Sequence, residues 1–121
     1  MVTPDMPPRT PSAQLVPVTP PKVYAKWWRQ VVRDCHCTPA VPFERLSWFS
    51  VKGHSFPCIK DDCVGAFVWN DSAGVPPTIL LAKWATGDPR IVRHEMLHAV
   101  LGGDLTHRNP LWRFYDVKLG P

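Results

Sequence analysis

Residues 90–103 read RIVRHEMLHAVLGG, and this stretch predicts one helix with a defined start and a defined end. Asp88 suits the N-cap position and Pro89 the first helical position, because an aspartate side chain accepts a helix-start N–H and proline has no N–H to leave unpaired. Gly102 and Gly103 follow the last apolar residues, and glycine is common just past a helix C-terminus.

His94 and His98 are four residues apart, and residues at this spacing lie on one face of a helix, one turn apart. Two imidazoles placed in this way can bind one Zn²⁺ at about 2.0–2.1 Å each. Glu95 lies about 100° round the helix from His94, where its carboxylate can reach a water on the ion. The H-E-x-x-H spacing therefore indicates two metal ligands and a general base.

The rest of this helix is apolar almost all round, which predicts burial. Its apolar residues are Ile91, Val92, Met96, Ala99, Val100 and Leu101. Burying two histidines and a glutamate without partners is costly, and a metal ion removes that cost for the histidines. The alternative is a packed helix that carries the pattern by chance.

The order of the remaining elements predicts an α+β domain. Residues 23–35 have the apolar spacing of an amphipathic helix, and residues 45–56 look extended. Residues 65–69 and 78–82 read as two strands joined by a turn rich in Asn, Asp, Ser, Gly and Pro. Residues 109–120 predict a final helix capped by Asn109. We therefore expect an N-terminal helix, a three-stranded, mainly antiparallel sheet, the histidine-bearing helix and a C-terminal helix.

Composition places further bounds on the chain of 121 residues. Residues 1–22 contain seven prolines and no aromatic residue, so we expect a flexible tail or a proline-rich docking segment before one compact domain at residues 23–121. A formal net charge of +4 without a basic run argues against a nucleic-acid partner. No apolar run is long enough to span a membrane and no signal sequence is visible, so we expect a soluble monomer.

The four cysteines leave three alternatives open, namely two disulfides, free thiols or a four-thiolate metal site. Cysteines two apart rarely bridge each other, because disulfide geometry is demanding. If bridges form, we expect Cys35 and Cys37 each to pair with Cys58 or Cys63. Localisation depends on this point, since disulfides would indicate an extracytoplasmic protein.

The loop after the helix, GGDLTHRNP at residues 102–110, offers two candidates for a third metal ligand. We favour His107, because neutral imidazole is a common zinc ligand and this residue directly precedes the last helix. Asp104 is the alternative, either as the ligand itself or as a residue that orients His107.

VRHEMLHAVLGG at residues 92–103, followed by DLTHRNPLWRF, resembles a group of small bacterial and phage zinc metallopeptidases. It is also similar to SprT-like, minimal gluzincin-type domains, in which a late third histidine precedes an aromatic helix. The resemblance implies a zincin-like fold with Zn²⁺ as cofactor. It implies a general base at Glu95 and ligands at His94, His98 and His107.

The chain departs from these families at two points. Thr106 stands where a glycine precedes the third histidine, and the last helix lacks an expected cysteine. Asp104 stands where metzincins place their third ligand, counted from His98, but Leu101 replaces the glycine of that motif.

The resemblance implies a peptidase acting on a peptide or protein substrate. We expect the substrate to pair as an added strand with TILLA, residues 78–82. Candidates for an oxyanion donor are Tyr24, His54 and Tyr115. The alternatives are a zinc-dependent endoribonuclease-like hydrolase and a non-catalytic binding module that zinc stabilises.

Overall fold

Two α-helices and six strands form the part of the chain that the computed structural model describes, which is residues 15–58, 62–103, 107, 109 and 111–112. Their bounds are β1 Leu15–Pro17, α1 Lys22–Cys35, β2 Ser47–Val51, β3 Phe56–Pro57, β4 Asp62–Cys63, β5 Gly65–Asn70, β6 Val75–Ala82 and α2 Pro89–Val100. Short 3-10 turns cover Phe43–Arg45, Asp71–Ala73 and Lys83–Gly87. The predicted α+β class is confirmed. The predicted C-terminal helix falls mostly outside the described residues.

The main sheet has four strands in the order β1-β2-β6-β5, where three were expected. Its pairing is mainly antiparallel, as predicted, but β2 runs parallel to β6. β3 and β4 form a separate two-stranded hairpin.

The additional strand, β1, comes from the segment that the sequence analysis assigns to a flexible tail. It pairs antiparallel with β2, with Leu15 opposite Val51 and Pro17 opposite Phe49. A proline is compatible with a strand at the edge of a sheet, because no neighbour requires its missing N–H. Residues 1–14 of the predicted tail lie outside the described residues.

Helix α1 packs against α2, and α2 packs against β5 and β6. Tyr24 of α1 also contacts Trp48 of β2, and the buried apolar residues of these elements form one core. Tyr24, Trp28 and Val31 form the buried side of α1, as the apolar spacing predicts. Beyond α1, the backbone N–H of Ala40 donates to the carbonyl of Val100, at the end of α2, over 2.9 Å. The loop after α1 therefore pairs with the last turn of α2.

The cysteine pairing expected from the sequence is wrong. Cys35 bridges Cys37 across a Cα–Cα distance of 5.1 Å, and Cys58 bridges Cys63 across 5.9 Å. His36 takes a left-handed conformation, with φ of 55°, at the end of α1, and this local reversal returns Cys37 to Cys35. The β3–β4 hairpin brings the other two cysteines together, since Phe56 pairs with Cys63.

Two disulfides fit an oxidising compartment. No cysteine in the described part of the chain is free. No helix within those residues combines the length and the apolar character needed to cross a membrane.

We predict that no thiol of the native protein reacts with iodoacetamide until a reductant is added. We further predict that Cys35 and Cys37 become alkylated at lower dithiothreitol concentrations than Cys58 and Cys63. The first pair is half-buried, whereas the second pair is 8% and 6% exposed within the core. Peptide mapping of the alkylated protein by mass spectrometry measures this order, and equal labelling of both pairs at every concentration would contradict it.

A second prediction concerns Tyr24, which is fully buried and donates its hydroxyl proton to the carbonyl of Thr86. Burial raises the pKa of this hydroxyl to about 12, from an ordinary value of about 10. The stabilisation from the protonated phenol is complete below about pH 10 and is lost as pH rises from 10 to 12.

We therefore expect Tyr24→Phe to lower the free energy of unfolding at neutral pH by about 1–3 kcal/mol, because the Thr86 carbonyl loses its donor. We also expect the variant to lose less stability than the wild type between pH 10 and 12. Urea denaturation across this pH range measures both effects. Parallel stability curves for the two proteins would refute the assignment.

Candidate metal centre

Helix α2 begins as its sequence predicts. The Asp88 side chain accepts the backbone N–H of Arg90 at 2.9 Å, and Pro89 occupies the first helical position. The Arg90 guanidinium lies 3.1 Å from the same carboxylate. The hydrogen bond from the Arg90 side chain is the main cause that lowers the pKa of Asp88. The backbone N–H groups at the start of the helix lower this pKa further. The start of α2 is therefore fixed by side-chain and backbone donors together.

Helix α2 ends with a sharp change of chain direction. Gly102 and Gly103 have φ of 73° and 94°, which side chains rarely allow. The N–H of Gly103 donates to the carbonyl of His98 over 2.7 Å. The two glycines thus end the helix as predicted and direct the chain back along it.

The expected burial of α2 is confirmed on every side except the one with Arg93 and His94, which are half-buried. Its buried residues are Ile91, Val92, Glu95, Met96, Leu97, His98, Ala99 and Val100. Glu95 and His98 are 5% and 3% exposed, which is rare for an ionisable group without a specific role. The helix therefore holds Glu95 and His98 inside the protein.

Three imidazoles meet at this helix. His94 and His98 come from α2, and His107 reaches them from the segment that follows Gly103. One ligand nitrogen from each ring lies within 4.8 Å of the others, and the ring centroids are 5.0–5.3 Å apart. His107 was the favoured third ligand, and it joins the pair. The alternative, Asp104, lies outside the described residues.

The spacing of these nitrogens suits a metal ion. Two ligands that bind one tetrahedral ion at about 2.0–2.1 Å are about 3.3 Å apart. The Nε2 atoms of His98 and His107 are 3.2 Å apart, and the same distance also permits an N–H···N hydrogen bond between neutral rings. Neutral imidazole is a ligand for zinc, copper, iron and nickel. The three-histidine cluster could therefore hold a metal ion.

Trp112 packs against all three histidines. Its ring centroid lies 4.8 Å from that of His94, 4.5 Å from that of His98 and 4.3 Å from that of His107, and the residue is 4% exposed. Asn109 fixes the local chain, because its side chain accepts the N–H of Leu111 at 3.0 Å and its carbonyl accepts that of Trp112 at 3.0 Å. Asn109 thus makes the contacts expected of a helix cap, while most of the helix that it was predicted to cap lies outside the described residues.

No prediction from the sequence placed Trp112 at the cluster. A signal was available, because the residue follows the Asn109 cap at a fixed offset in a segment that also supplies His107.

The Glu95 side chain lies between α2 and the first residue of β5. An ideal Cβ built on Gly65 would be 2.9 Å from the Glu95 Oε2 atom. The carboxylate therefore occupies the space where any other residue at position 65 would place its side chain. No sequence motif marks Gly65 as part of this site.

The candidate oxyanion donors have other partners. Tyr24 lies in the core with its hydroxyl on Thr86. His54 is exposed and stacks on Trp84, with ring centroids 5.3 Å apart, and the Trp84 indole N–H donates to the His54 carbonyl. Neither residue belongs to the three-histidine cluster, and Tyr115 lies outside the described residues.

The prediction that a substrate pairs with residues 78–82 is wrong. Residues 78–82 lie in β6, which is hydrogen-bonded to β2 on one side and to β5 on the other. A strand with two neighbours has no free edge for a third. Within the described residues β5, by contrast, is the last strand of the sheet, and its first residue lies next to Glu95.

Comparisons with protein-family models, with curated proteins and with solved structures give no match to this chain.

We predict that the wild-type protein retains about one zinc ion per chain after dialysis against a weak chelator, as expected for a single three-histidine site. His98→Ala and His107→Ala should each lose most of it. Zinc should also raise the melting temperature of the wild type, since a ligand that binds only the folded state at about 100 times its Kd adds about 2.7 kcal/mol. Elemental analysis and thermal denaturation with zinc or EDTA measure these effects.

His54→Ala is the matched control, because it removes an imidazole that stacks on Trp84 outside the cluster. Full zinc retention by His107→Ala, together with loss in Asp104→Ala, would transfer the third ligand position to the aspartate. Absence of zinc uptake by the folded wild type would exclude the metal centre.

Proposed function

We propose that this chain is a zinc-dependent metallopeptidase with Glu95 as the general base. The observation that carries the proposal is the meeting of three imidazoles at a helix that supplies two of them and also carries the buried Glu95. Three protein ligands with a further position for water or substrate is the arrangement of catalytic zinc sites, whereas structural sites have four. The resemblance of residues 90–114 to small zinc metallopeptidases supports the same activity.

The chemistry divides between the ion and the chain. His94, His98 and His107 would hold the Zn²⁺ ion, which would act as a Lewis acid and would lower the pKa of a coordinated water to about 7. Glu95 accepts the proton that the attacking water gives up, holds it on a carboxylate oxygen and donates it to the departing amine. Because Glu95 is 5% exposed, bulk water competes little for this carboxylate.

The histidines have complementary tasks. His94 and His98 are held by one rigid helix, so their relative position is set by the helix geometry. His107 comes from a separate segment and is exposed, so it completes the ligand set from the solvent side. Trp112, in contact with all three rings, restricts their rotation.

The substrate in this proposal is an extended peptide that pairs with the outer side of β5, the last strand of the sheet within the described part of the chain. Main-chain hydrogen bonds to an edge strand bind a peptide with little regard to its sequence. β5 starts at Gly65, against which the Glu95 carboxylate lies. A peptide along this edge would therefore pass the general base at one end of the strand.

We predict that Glu95→Gln lowers kcat/KM on casein and on a mixed set of quenched fluorogenic peptides by about 10²–10⁴-fold, the usual contribution of a positioned general base. Zinc content should stay at the wild-type level, because the three imidazoles are unchanged. Initial rates with matched elemental analysis measure both quantities.

Glu44→Gln is the matched control, since Glu44 is an exposed glutamate in the turn Phe43–Arg45 and should leave the rate unchanged. An undiminished rate for Glu95→Gln would refute the base assignment. A faster rate on RNA than on casein would assign the site to a nucleic-acid hydrolase. If the zinc-loaded wild type hydrolyses neither casein nor RNA, the result would favour a non-catalytic binding module that zinc stabilises.

A further inference from the structure

Gly65 is the first residue of the edge strand β5 and is paired with Leu81 of β6. Its φ is not in the left-handed region, unlike that of Gly53, Gly74 and the two glycines after α2. An alanine could therefore adopt the same backbone conformation without strain. Chain geometry does not explain a glycine at this position.

The neighbouring side chain does explain it. A Cβ at position 65 would lie 2.9 Å from Oε2, 3.0 Å from Cγ and 3.2 Å from Cδ of Glu95. Favourable carbon contacts need about 3.5–4.0 Å. Three atoms of one side chain would thus be too close at once, so an alanine could fit only if the whole Glu95 side chain moved.

The surroundings of Glu95 restrict such a movement. The residue is 5% exposed, and the next two residues of α2, Met96 and Leu97, are fully buried. A closely packed interior accommodates extra atoms only by displacing others. An alanine at position 65 would therefore displace the carboxylate from its place beside the strand and would strain the packing around it.

We infer that Gly65 is a positioning residue for the Glu95 carboxylate, and that the absence of a side chain on the edge strand sets where the general base stands. The role given to the carboxylate rests on the proposed function, whereas the contact between the two residues does not. The three histidines contact one another and Trp112, and the three atoms nearest to a Cβ on Gly65 all belong to Glu95, so we expect a Cβ on Gly65 to leave their mutual positions unchanged.

A double-mutant cycle tests the contact independently of any activity. Gly65→Ala is made in the wild type and in the Glu95→Ala background, and thermal denaturation is measured with saturating zinc. We expect Gly65→Ala to lower the melting temperature of the wild type by about 4–8 °C or more. In the Glu95→Ala background we expect no loss or a small gain, because the obstructing side chain is gone.

Gly87→Ala is the matched control for replacing a glycine. Gly87 also lies outside the left-handed region, and a Cβ there would meet nothing within 4 Å. We expect this variant to be unchanged or slightly more stable in both backgrounds. If Gly65→Ala does not fold in the wild type, recovery of folding on adding Glu95→Ala supports the contact. Equal losses in both backgrounds would overturn it.

Hydrolysis tests the positioning itself. We expect Gly65→Ala to lower kcat by about 10- to 100-fold, the effect of misplacing a reacting group by about 1 Å. Zinc affinity, measured by competition with a chromophoric chelator, should remain within about twofold of the wild type, since the ligands are untouched. Gly87→Ala should change neither quantity.

The outcomes separate the two proposals. Coupling in the stability cycle with an unchanged kcat would overturn the positioning role while leaving the peptidase intact. A wild type that binds zinc and hydrolyses no peptide would overturn the proposed function, and the stability cycle would still report whether Gly65 provides the space for Glu95.

Discussion

The burial of polar side chains on α2 is the constraint on which this domain depends. Glu95 and His98 are 5% and 3% exposed on a helix whose other buried residues are all apolar. Ionisable groups are stable in such surroundings only when other groups satisfy them. The loop that brings back His107, the ring of Trp112 and the open position at Gly65 all surround these side chains. Residues from several elements thus pack around Glu95 and His98, the buried polar side chains of α2.

Features that depend on nearby residues could be predicted from the sequence. The ends of α2 follow from Asp88, Pro89 and the two glycines, and the histidine spacing places two rings on one face. His107 could be selected from its loop because few other residues there bind metals. Features that depend on pairing between distant segments were missed. β1 was assigned to the tail, and the central position of β6 was not foreseen, because strand order has no local signature.

Two errors have definite physical causes. The bridge between Cys35 and Cys37 was judged improbable from disulfide geometry, yet the left-handed conformation of His36 makes it accessible. Gly65 was predicted only as the first residue of a strand. A glycine in a sequence does not reveal which distant side chain will need the space that it leaves. The significance of Gly65 comes only from Glu95, which the fold brings to it from another element.

The hydrogen bond from Ala40 to Val100 links the loop after α1 to the last turn of the histidine-bearing helix. In addition, a Cβ on Gly102 would lie 3.2 Å from the Cβ of Ala40. The change of direction at Gly102, which leads the chain toward His107, is therefore packed against Ala40 from the first half of the sequence. Assembly of the cluster is in this way part of the cooperative folding of the whole domain. An isolated peptide spanning α2 and His107 would contain all three imidazoles but would lack the surface that orders the third one.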